Sequence, residues 1–408
     1  MNRVVVTGLG VISPIGNNSL EFQKNIINGV NGIKTISHFD TNEFKVKIAG
    51  EVNIDLIDYF SSKELNKIDR FTAFSIIAAD EAIKNSNLNN KNNKNNIGVI
   101  IGSGIGGINT LEKQHKRLLR HPKKVSPYFI PTMISDIAAG HISIKHGYKG
   151  LNYSVVSACA SGSHAIGDAY KMIKYGDADA IVAGGSEAAI SPISIAGFSN
   201  MKALTQNIDI NTACRPFDKD RDGFVMGEGS GIIVLESLTS AQERNATIHA
   251  ELIGYGASAD AHHLTQPDPE GNGAFRSMEI ALKDANISSK NIDYINAHGT
   301  STKFNDKIET HAIKKLFKKH AYNISISSTK SMTGHLLGAA GGIESIACIQ
   351  SIENSIIPPT INYSTPDKDC DLDYTPNTCI NKTVDYALSN TFGFGGHNAS
   401  LIFKKFSE

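Results

Sequence analysis

Short apolar runs alternate along this chain with longer segments in which apolar positions recur with a helical period. The short runs, each closed by glycine or another small residue, predict buried strands at residues 3–7, 97–101, 153–156 and 180–183. The longer segments predict helices at residues 71–84, 134–145, 160–174 and around 241–244. Buried strands that alternate with helices indicate an α/β fold.

The same alternation starts again near residue 250. Its strands are predicted at residues 248–254, 292–296, 324–328 and 386–390. Its helices are predicted at residues 274–284, 306–319 and 340–352. Two rounds of one pattern predict two related halves, residues 1–250 and residues 251–408. No clean sequence repeat is visible, so the relation between the halves depends on element order alone.

Composition narrows the class of protein. Of the 408 residues, 40% are hydrophobic and 20% are charged, which is typical of a globular chain with a sizeable core. Lys plus Arg and Asp plus Glu number 40 each, so the formal net charge is zero. A neutral chain has no overall attraction to nucleic acid or to an anionic membrane. No apolar stretch reaches the roughly 18 residues that a membrane span needs, so we expect neither partner.

The cysteines indicate a reducing compartment. They are Cys159, Cys214, Cys348, Cys370 and Cys379. An odd number at wide spacings, with no CxxC pair, predicts neither a disulfide framework nor a zinc site. The N-terminus runs directly into a strand without a basic and apolar leader, which argues against a signal peptide. We therefore expect a cytoplasmic protein, or a plastid protein if a transit peptide has been removed.

A glycine-rich loop at residues 101–107 offers a first function, dinucleotide binding. It reads Ile-Gly-Ser-Gly-Ile-Gly-Gly and follows a predicted strand, as the GxGxxG fingerprint does. That fingerprint also needs a second strand ending in an acid about 20 residues later. Residues 121–127 there contain no acid and read as a loop. We therefore favour glycines that allow close backbone packing.

The region around Cys159 predicts a nucleophile. A strand ends just before Ser157 and Ala158, and a helix of small residues follows the cysteine. At a helix N-terminus, free N–H groups and the positive end of the helix dipole favour a thiolate. The alternative is a buried, inert cysteine, which is the commoner fate of a single thiol. The other four cysteines lack this setting.

Two histidines share one local pattern. His298 and His335 each stand beside glycine and hydroxyl residues where a strand passes into a helix, and α/β proteins place ligands at such junctions. A histidine there can donate a hydrogen bond to an oxyanion or act as a general base. The competing use is metal binding, but no HExxH or closely spaced His/Cys set occurs, so we discount zinc. His262 and His263 are interpreted as loop residues.

A second glycine loop, residues 389–398, joins one predicted strand to the last. Its glycines allow the backbone to approach a ligand and the loop to move. Phe392 and Phe394 lie two residues apart within it, where they can cover a pocket. A simple packing turn is the alternative.

Taken together, these stretches resemble the elongating β-ketoacyl-acyl-carrier-protein synthases of fatty-acid synthesis. The resemblance runs from residues 4–10 through 215–229 to 400–403. Residues 334–341, Gly-His-Leu-Leu-Gly-Ala-Ala-Gly, are similar to the type II member, whereas the type I member usually has serine at one of the two leucines. The family implies a thiolase-like fold of five layers, αβαβα, with two related halves, and a homodimer.

The resemblance also implies the chemistry, an acyltransferase reaction in which malonyl-carrier loses CO2 and adds two carbons to an acyl group held on cysteine. The family's Cys-His-His set falls on Cys159, His298 and His335. Lys330 is expected to organise the site, with Glu309 as its ion-pair partner. The backbone N–H groups of Cys159 and Phe394 would form the oxyanion hole. No cofactor is required beyond the phosphopantetheine arm of the acyl carrier protein.

Further positions follow from the same resemblance. Substrate binding is expected at Thr300, Thr302, Phe392, Ile105 and Phe129. A Na+ or K+ site known in some members matches Asn296, Glu344, Ser389 and Asn390. Docking of the acidic carrier protein is expected at a basic cluster, Lys63, Lys67, Lys123 and Lys124. Three departures from the family pattern are Asn66, where type II members often have Arg, and Ser157 and His397, where others have Thr.

Related condensing enzymes are the remaining alternatives. A thiolase would need a second cysteine in a Cys-x-Gly turn, but Cys370 and Cys379 are followed by other residues. A Cys-His-Asn starter synthase would lack His335. A non-catalytic chain-length partner would lack Cys159. A type I synthase and a polyketide ketosynthase of the same mechanism stay open.

Overall fold

The computed structural model of the chain describes residues 1–90 and 93–407. The α-helices, in chain order α1 to α13, are Ser19–Ile27, Ser62–Leu65, Arg70–Ser86, Ile108–Leu118, Phe129–Met133, Ile137–His146, Ser161–Tyr175, Pro192–Asn200, Leu238–Glu243, Asn272–Ala285, Lys303–Phe317, Lys330–Thr333 and Ala340–Asn354. The strands, β1 to β14, are Val4–Ile12, Lys34–Thr35, Ile48–Ala49, Ile97–Gly102, Asn152–Val155, Ala180–Glu187, Gly229–Ser237, Ala250–Ala259, Tyr294–Asn296, Ser325–Ser327, Ile356–Ile357, Ile380–Asn381, Tyr386–Gly393 and His397–Lys404.

Ten strands form one continuous sheet in which a single topology occurs twice. The strand order is β10-β9-β13-β14-β8-β1-β7-β6-β4-β5. Strand β1 pairs antiparallel with β7, β7 antiparallel with β6, and β6 and β5 both parallel with β4. In the other half, β8, β14, β13, β9 and β10 repeat the same order and directions. The two halves thus share one connectivity, although their sequences show no repeat.

Helices cover the sheet in layers. Helices α3 and α6 pack on the first half, and α10 packs on β8 and β14 of the second. Helices α7 and α13 contact each other and strands of both halves, so they form the central layer. Every residue of α13 from Ala340 to Ile352 is buried. A Cβ on Gly342 would lie 2.2 Å from the carbonyl oxygen of Gly231, so glycine is required where α13 meets β7.

Each predicted element overlaps a strand or helix of the structure, but helices α1, α4 and α8 and strand β7 were not predicted. The helix expected at 134–145 is wrong at its start, because α5 ends at Met133, Ile134 is extended, and α6 begins only at Ile137. Strand β7 was missed, because it begins with small residues and carries Glu236. That carboxylate is buried and pairs with Arg244. Among the described residues, no helix is long and apolar enough to cross a membrane.

Candidate active site

Cys159 lies in a tight turn between β5 and α7. The residue before it, Ala158, has a φ of +52°, which is a strained conformation for a residue with a side chain. The Ser161 hydroxyl holds this turn, since it accepts from the N–H of Ser157 at 2.9 Å and donates to the carbonyl oxygen of Ala158 at 2.6 Å. From the next loop, Gly393 approaches so closely that a Cβ there would lie 3.1 Å from the nitrogen of Cys159. The turn therefore projects the thiol into the cavity described below.

The surroundings of the thiol raise its pKa and so disfavour the expected thiolate. Helix α7 begins at Ser161, two residues beyond the cysteine, and Cys159 is only 8% exposed. Burial raises its pKa to about 11, against the Lys330 charge and the N–H groups of Phe394 and Cys159, which lower it. The expectation is not supported, because burial in an apolar setting outweighs the helix end. Both N–H groups nevertheless favour negative charge on the sulfur.

His335 is the nearest titratable neighbour of the thiol. Its Nε2 lies 3.0 Å from the Cys159 sulfur. Its Nδ1 accepts a hydrogen bond from the N–H of Leu337 at 3.3 Å, so Nδ1 carries no proton and Nε2–H is the donor. Burial, followed by the Lys330 charge, lowers the pKa of His335 well below its usual value. The ring is therefore neutral and presents an N–H to the cavity.

His298 completes the group from the end of β9. Its ring centre lies 5.2 Å from that of His335, edge to face. Its pKa is also lowered well below the usual value, first by burial and then by Lys330 and His335. Glu309 holds the backbone here, accepting from the N–H groups of His298 and Gly299 at 2.9 and 2.8 Å. The second imidazole is thus also neutral.

Lys330 has a different ion-pair partner from the one expected. Its ammonium group pairs with Glu344 of α13, and both side chains are at most 2% exposed. Glu309 instead binds backbone N–H groups and the amide of Asn390. The assignment of Glu309 as the partner is therefore wrong, although Glu309 does support the His298 turn. Burial raises the pKa of both carboxyls to about 7.

A cavity opens from the thiol to the surface. The expected substrate residues Thr300, Thr302 and Phe392 line it together with four residues of the predicted catalytic set, Cys159, His298, His335 and Phe394. The hydroxyls of Thr300 and Thr302 lie 2.9 Å apart. Phe394 faces Phe198 with ring centres 6.3 Å apart, and Gly395 beside it has a φ of +82°. An aromatic pair therefore stands at one wall and a hydroxyl pair at another.

Two expected substrate residues do not line this cavity. Ile105 packs against the apolar cluster that contains Cys159 and is not among the lining residues. Phe129 is half-buried at the start of α5 and is not among the lining residues. Phe198 and Phe224, which do line it, were missed because aromatic residues in apolar segments give no local sign of a cavity.

The glycine-rich loop after β4 encloses a carboxylate of the chain itself. Gly104, Ile105 and Gly106 donate their N–H groups to the side chain of Glu187 at 2.7 to 3.3 Å. These donors would otherwise be available to a phosphate. The preference for backbone packing over a dinucleotide site agrees with this arrangement, and Glu187 has no local sequence pattern that could have indicated its role.

Three of the four residues expected at a cation site carry buried oxygens without a hydrogen-bond partner: Oδ1 of Asn296, Oε2 of Glu344 and Oγ of Ser389. Asn296 and Ser389 are register partners on neighbouring parallel strands. The side chain of Asn390 faces elsewhere, bonded to Ser400 and Glu309, because successive side chains on a strand point to opposite faces. Amide, carboxylate and hydroxyl oxygens are ligands that suit a hard cation.

One member of the basic cluster, Lys67, contacts the segment that follows Lys123 and Lys124. Its ammonium group lies 4.8 Å from the ring centre of Tyr128 in that segment. The side chains of Lys123, Lys124 and Lys63 are exposed. Arg70, which neighbours the cluster in sequence, is held internally by Glu228 at 2.7 Å and is not available to a partner.

Comparisons with known proteins give consistent matches over the whole chain. The family model "Beta-ketoacyl synthase, N-terminal domain" matches residues 1–241, and "Beta-ketoacyl synthase, C-terminal domain" matches residues 249–364. The 3-oxoacyl-[acyl-carrier-protein] synthase 2 of Staphylococcus aureus strain COL is 52% identical over 407 residues, covering 99% of this chain and 98% of that protein. The protein of the same name from Synechocystis is 50% identical over 408 residues, covering 99% and 98%.

Solved structures agree in fold. A beta-ketoacyl synthase from Burkholderia phymatum superposes with a TM-score of 0.92 at 32% identity. A structure described as a type II polyketide-synthase acyl-carrier protein in complex with its ketosynthase bound to the hexaketide superposes with a TM-score of 0.93 at 36% identity. In both cases 100% of each chain is covered. The five-layer, thiolase-like fold with two related halves is thereby confirmed.

Proposed function

The chain belongs to the beta-ketoacyl synthase family, and from this premise we propose that it is a type II 3-oxoacyl-[acyl-carrier-protein] synthase. It is a condensing enzyme of the acyltransferase class that elongates fatty acids by two carbons. The observation that supports this proposal most directly is the distance of 3.0 Å between Nε2 of His335 and the Cys159 sulfur. A second neutral imidazole, that of His298, lies beside them. The full-length relatives at 50–52% identity favour fatty-acid substrates over polyketides.

The first half-reaction transfers the acyl group to Cys159. The sulfur attacks the thioester carbon of acyl-carrier, and the thiol proton leaves with the departing carrier thiol. The N–H groups of Cys159 and Phe394, which already lower the pKa of the thiol, stabilise the tetrahedral oxyanion. One such donor lowers a barrier by roughly 3 kcal/mol. Because burial raises the pKa of the thiol, the rate depends on removal of its proton.

The second half-reaction needs the two imidazoles. Malonyl-carrier enters, and Nε2–H of His335 and the ring of His298 donate to its thioester carbonyl. Loss of CO2 leaves an enolate whose oxygen these donors stabilise. The enolate carbon attacks the acyl-Cys159 carbonyl, the 3-oxoacyl product forms on the carrier, and the released Cys159 thiolate takes up a proton. Neutral donors suit this step because the negative charge develops on the substrate.

Two further binding sites are part of the proposal, one for the pantetheine arm and one for a cation. Thr300 and Thr302 bind the arm, since their paired hydroxyls line the cavity. A Na+ or K+ ion fits the unpartnered oxygens of Asn296, Glu344 and Ser389, where it would supply charge neutralisation only. Replacing both salts with choline chloride should then lower the thermal midpoint of the intact chain, whereas an unchanged midpoint would remove the cation from the proposal.

We also propose a homodimer joined at β5. This strand ends the sheet, and an edge strand leaves N–H and C=O groups free to pair with another chain. Leu151 and Val156 beside it are 38% and 61% exposed, which favours burial by a second copy. Val156→Asp should give monomers in sedimentation velocity. A variant that stays dimeric would place the interface elsewhere.

The basic cluster is the proposed docking surface for the acidic carrier protein, and Lys67 beside Tyr128 supports it. The five cysteines are free thiols, which supports a reducing, cytoplasmic location.

A direct test supplies the purified chain with acyl-carriers of graded length and malonyl-carrier, and detects products by mass spectrometry. We expect 3-oxoacyl-carriers two carbons longer than the primer and stoichiometric CO2. The matched control is Cys379→Ser, a cysteine outside the cavity, which should keep the activity. Absence of condensation with every primer would overturn the proposed function, and products extended repeatedly without reduction would indicate a polyketide ketosynthase instead.

A further inference from the structure

Glu187 is a buried acid that the condensation scheme does not use. It is the last residue of β6 and has no exposed surface. Among the ion pairs of the described residues, none includes it. Its carboxylate is bound instead by a ring of uncharged donors, and burial raises its pKa although those donors lower it. A carboxylate is costly to bury, so the groups that its oxygens bind indicate the role of Glu187.

The two carboxylate oxygens connect two separate segments. Oε1 accepts from the Ser103 hydroxyl at 3.0 Å and from the N–H groups of Ile105 and Gly106. Oε2 accepts from the N–H of Gly104 at 2.7 Å and from the N–H of Gly338 at 3.0 Å. The first four donors belong to the glycine-rich loop after β4. The fifth belongs to the turn that carries His335.

Gly338 connects Glu187 to the imidazole through one residue. Leu337, immediately before it, has a φ of +48°, a conformation that a leucine adopts only when its surroundings impose it. The N–H of that same leucine donates to Nδ1 of His335. Glu187 therefore fixes the peptide group between Leu337 and Gly338. The N–H of Leu337, on the other side of that residue, selects the His335 tautomer.

We propose that Glu187 is a positioning residue for the condensation: by binding the N–H of Gly338 it keeps the Leu337 N–H on His335 Nδ1, so that Nε2–H stays directed at the reacting groups. This inference deepens the proposed function and depends on it. A carboxylate suits the task because each oxygen accepts from several N–H groups at once. A glutamine has one oxygen, so its NH2 would face N–H donors on one side or the other.

The test uses Glu187→Ala, Glu187→Gln and a matched control, Ser103→Ala, in the full chain. Ser103→Ala removes a donor to the same carboxylate without touching Gly338. Acyl transfer to Cys159 and decarboxylation of malonyl-carrier are measured separately. Glu187→Ala should slow decarboxylation roughly ten- to a hundredfold, less than the loss of a whole oxyanion donor, while acyl transfer and the KM for acyl-carrier change little.

The conservative variant and the control sharpen this comparison. Glu187→Gln should recover part of the lost decarboxylation rate, and Ser103→Ala should keep the wild-type ratio of the two half-reactions. Equal loss of both half-reactions in Glu187→Ala, or the same pattern in Ser103→Ala, would show that Glu187 only supports the loop after β4, and would overturn the proposal.

A spectroscopic measurement needs no turnover. In the wild-type chain labelled with 15N-histidine, and assigned by comparison with His335→Ala, the ring nitrogens of His335 should show a protonated Nε2 and an unprotonated Nδ1. The two signals should move toward each other in Glu187→Ala as the tautomers mix. A protonated Nδ1 in the wild-type chain would overturn the inference even if the variant fails to fold. Inactivity of the wild-type chain would overturn only the proposed function.

Discussion

The buried pair of Lys330 and Glu344 gives a quantitative prediction of pH-dependent stability. Lys330→Met removes the ammonium group and leaves the Glu344 carboxylate in a site where both side chains are at most 2% exposed. Breaking such a pair on one side costs about 3–5 kcal/mol. An unfolding entropy of about 2.1 cal/mol/K per residue amounts to about 0.9 kcal/mol/K for 408 residues. The midpoint should therefore fall by about 4–6 °C at a pH high enough to ionise Glu344 in the variant.

The pH dependence has a definite sign. Burial raises the pKa of Glu344 to about 7 even though Lys330 lowers it, so in the variant this pKa lies higher still. Between the ordinary carboxyl value of 4.5 and the raised value, the folded chain binds more protons than the unfolded chain, so stability falls as pH rises. Below that window both states are protonated. The deficit of Lys330→Met should accordingly be small up to about pH 7, where Glu344 is protonated in both folded chains, and should grow above pH 7 toward the variant's higher pKa.

The assay is thermal unfolding by circular dichroism between pH 5 and 8, at one scan rate and constant salt. Lys330 also lowers the pKa of Glu309, so the comparison that isolates Glu344 is Lys330→Met against Lys330→Met/Glu344→Gln, two chains that share Glu309 and lack Lys330. The control Lys330→Met/Glu344→Gln removes both charges and should recover most of the loss with a flat pH profile. A deficit that is constant or larger at pH 5, or a double variant no better than the single, would refute this reasoning.

Further predictions concern the reacting groups. Cys159→Ser should abolish condensation, and the acyl adduct should be found by mass spectrometry on the Cys159 peptide, not on another cysteine. Alkylation of Cys159 by iodoacetamide should speed up steadily with pH toward the raised pKa of about 11, whereas a plateau near pH 7 would mean a resting thiolate. His298→Ala and His335→Ala should lose decarboxylation of malonyl-carrier and keep some acyl transfer to Cys159. Loss of acyl transfer with normal decarboxylation would contradict the roles proposed for the two histidines. Replacing Lys67, Lys123 and Lys124 with Glu should raise the KM for acyl-carrier several-fold and leave the rate with a short pantetheine thioester unchanged.

Residues with a local signature could be found from the sequence. Cys159, His298 and His335 each stand where a strand ends beside glycine or another small residue, and that pattern is contained in fewer than ten consecutive residues. The order of strands and helices likewise predicted two halves, because period and glycine punctuation are local properties. The structure brings these three side chains into one cavity, which no single segment could indicate.

Carboxylates were the weak point of the sequence reasoning. Lys330 and Glu344 are 14 residues apart and Glu187 and Gly338 are 151 apart, so their pairing depends on how α13 and β6 pack. An acid within a helix or strand has the same local pattern whether it is exposed or buried. The predicted thiolate at Cys159 was not supported for a similar reason. Residues distant in sequence, and not the adjacent helix end, set the degree of burial of this side chain.

The charges around the cavity explain why the histidines can serve as donors. Lys330 lowers the pKa of both imidazoles after burial has done so, and a protonated histidine beside it would add a second buried cation. Glu344 offsets the ammonium charge without touching either ring, and Glu309 binds the backbone of His298 and not its Nδ1. A carboxylate on either Nδ1 would favour imidazolium. By holding its acids on the backbone and on Lys330, the site keeps two neutral imidazoles available, as the proposed mechanism requires for the oxygen on which the enolate charge develops.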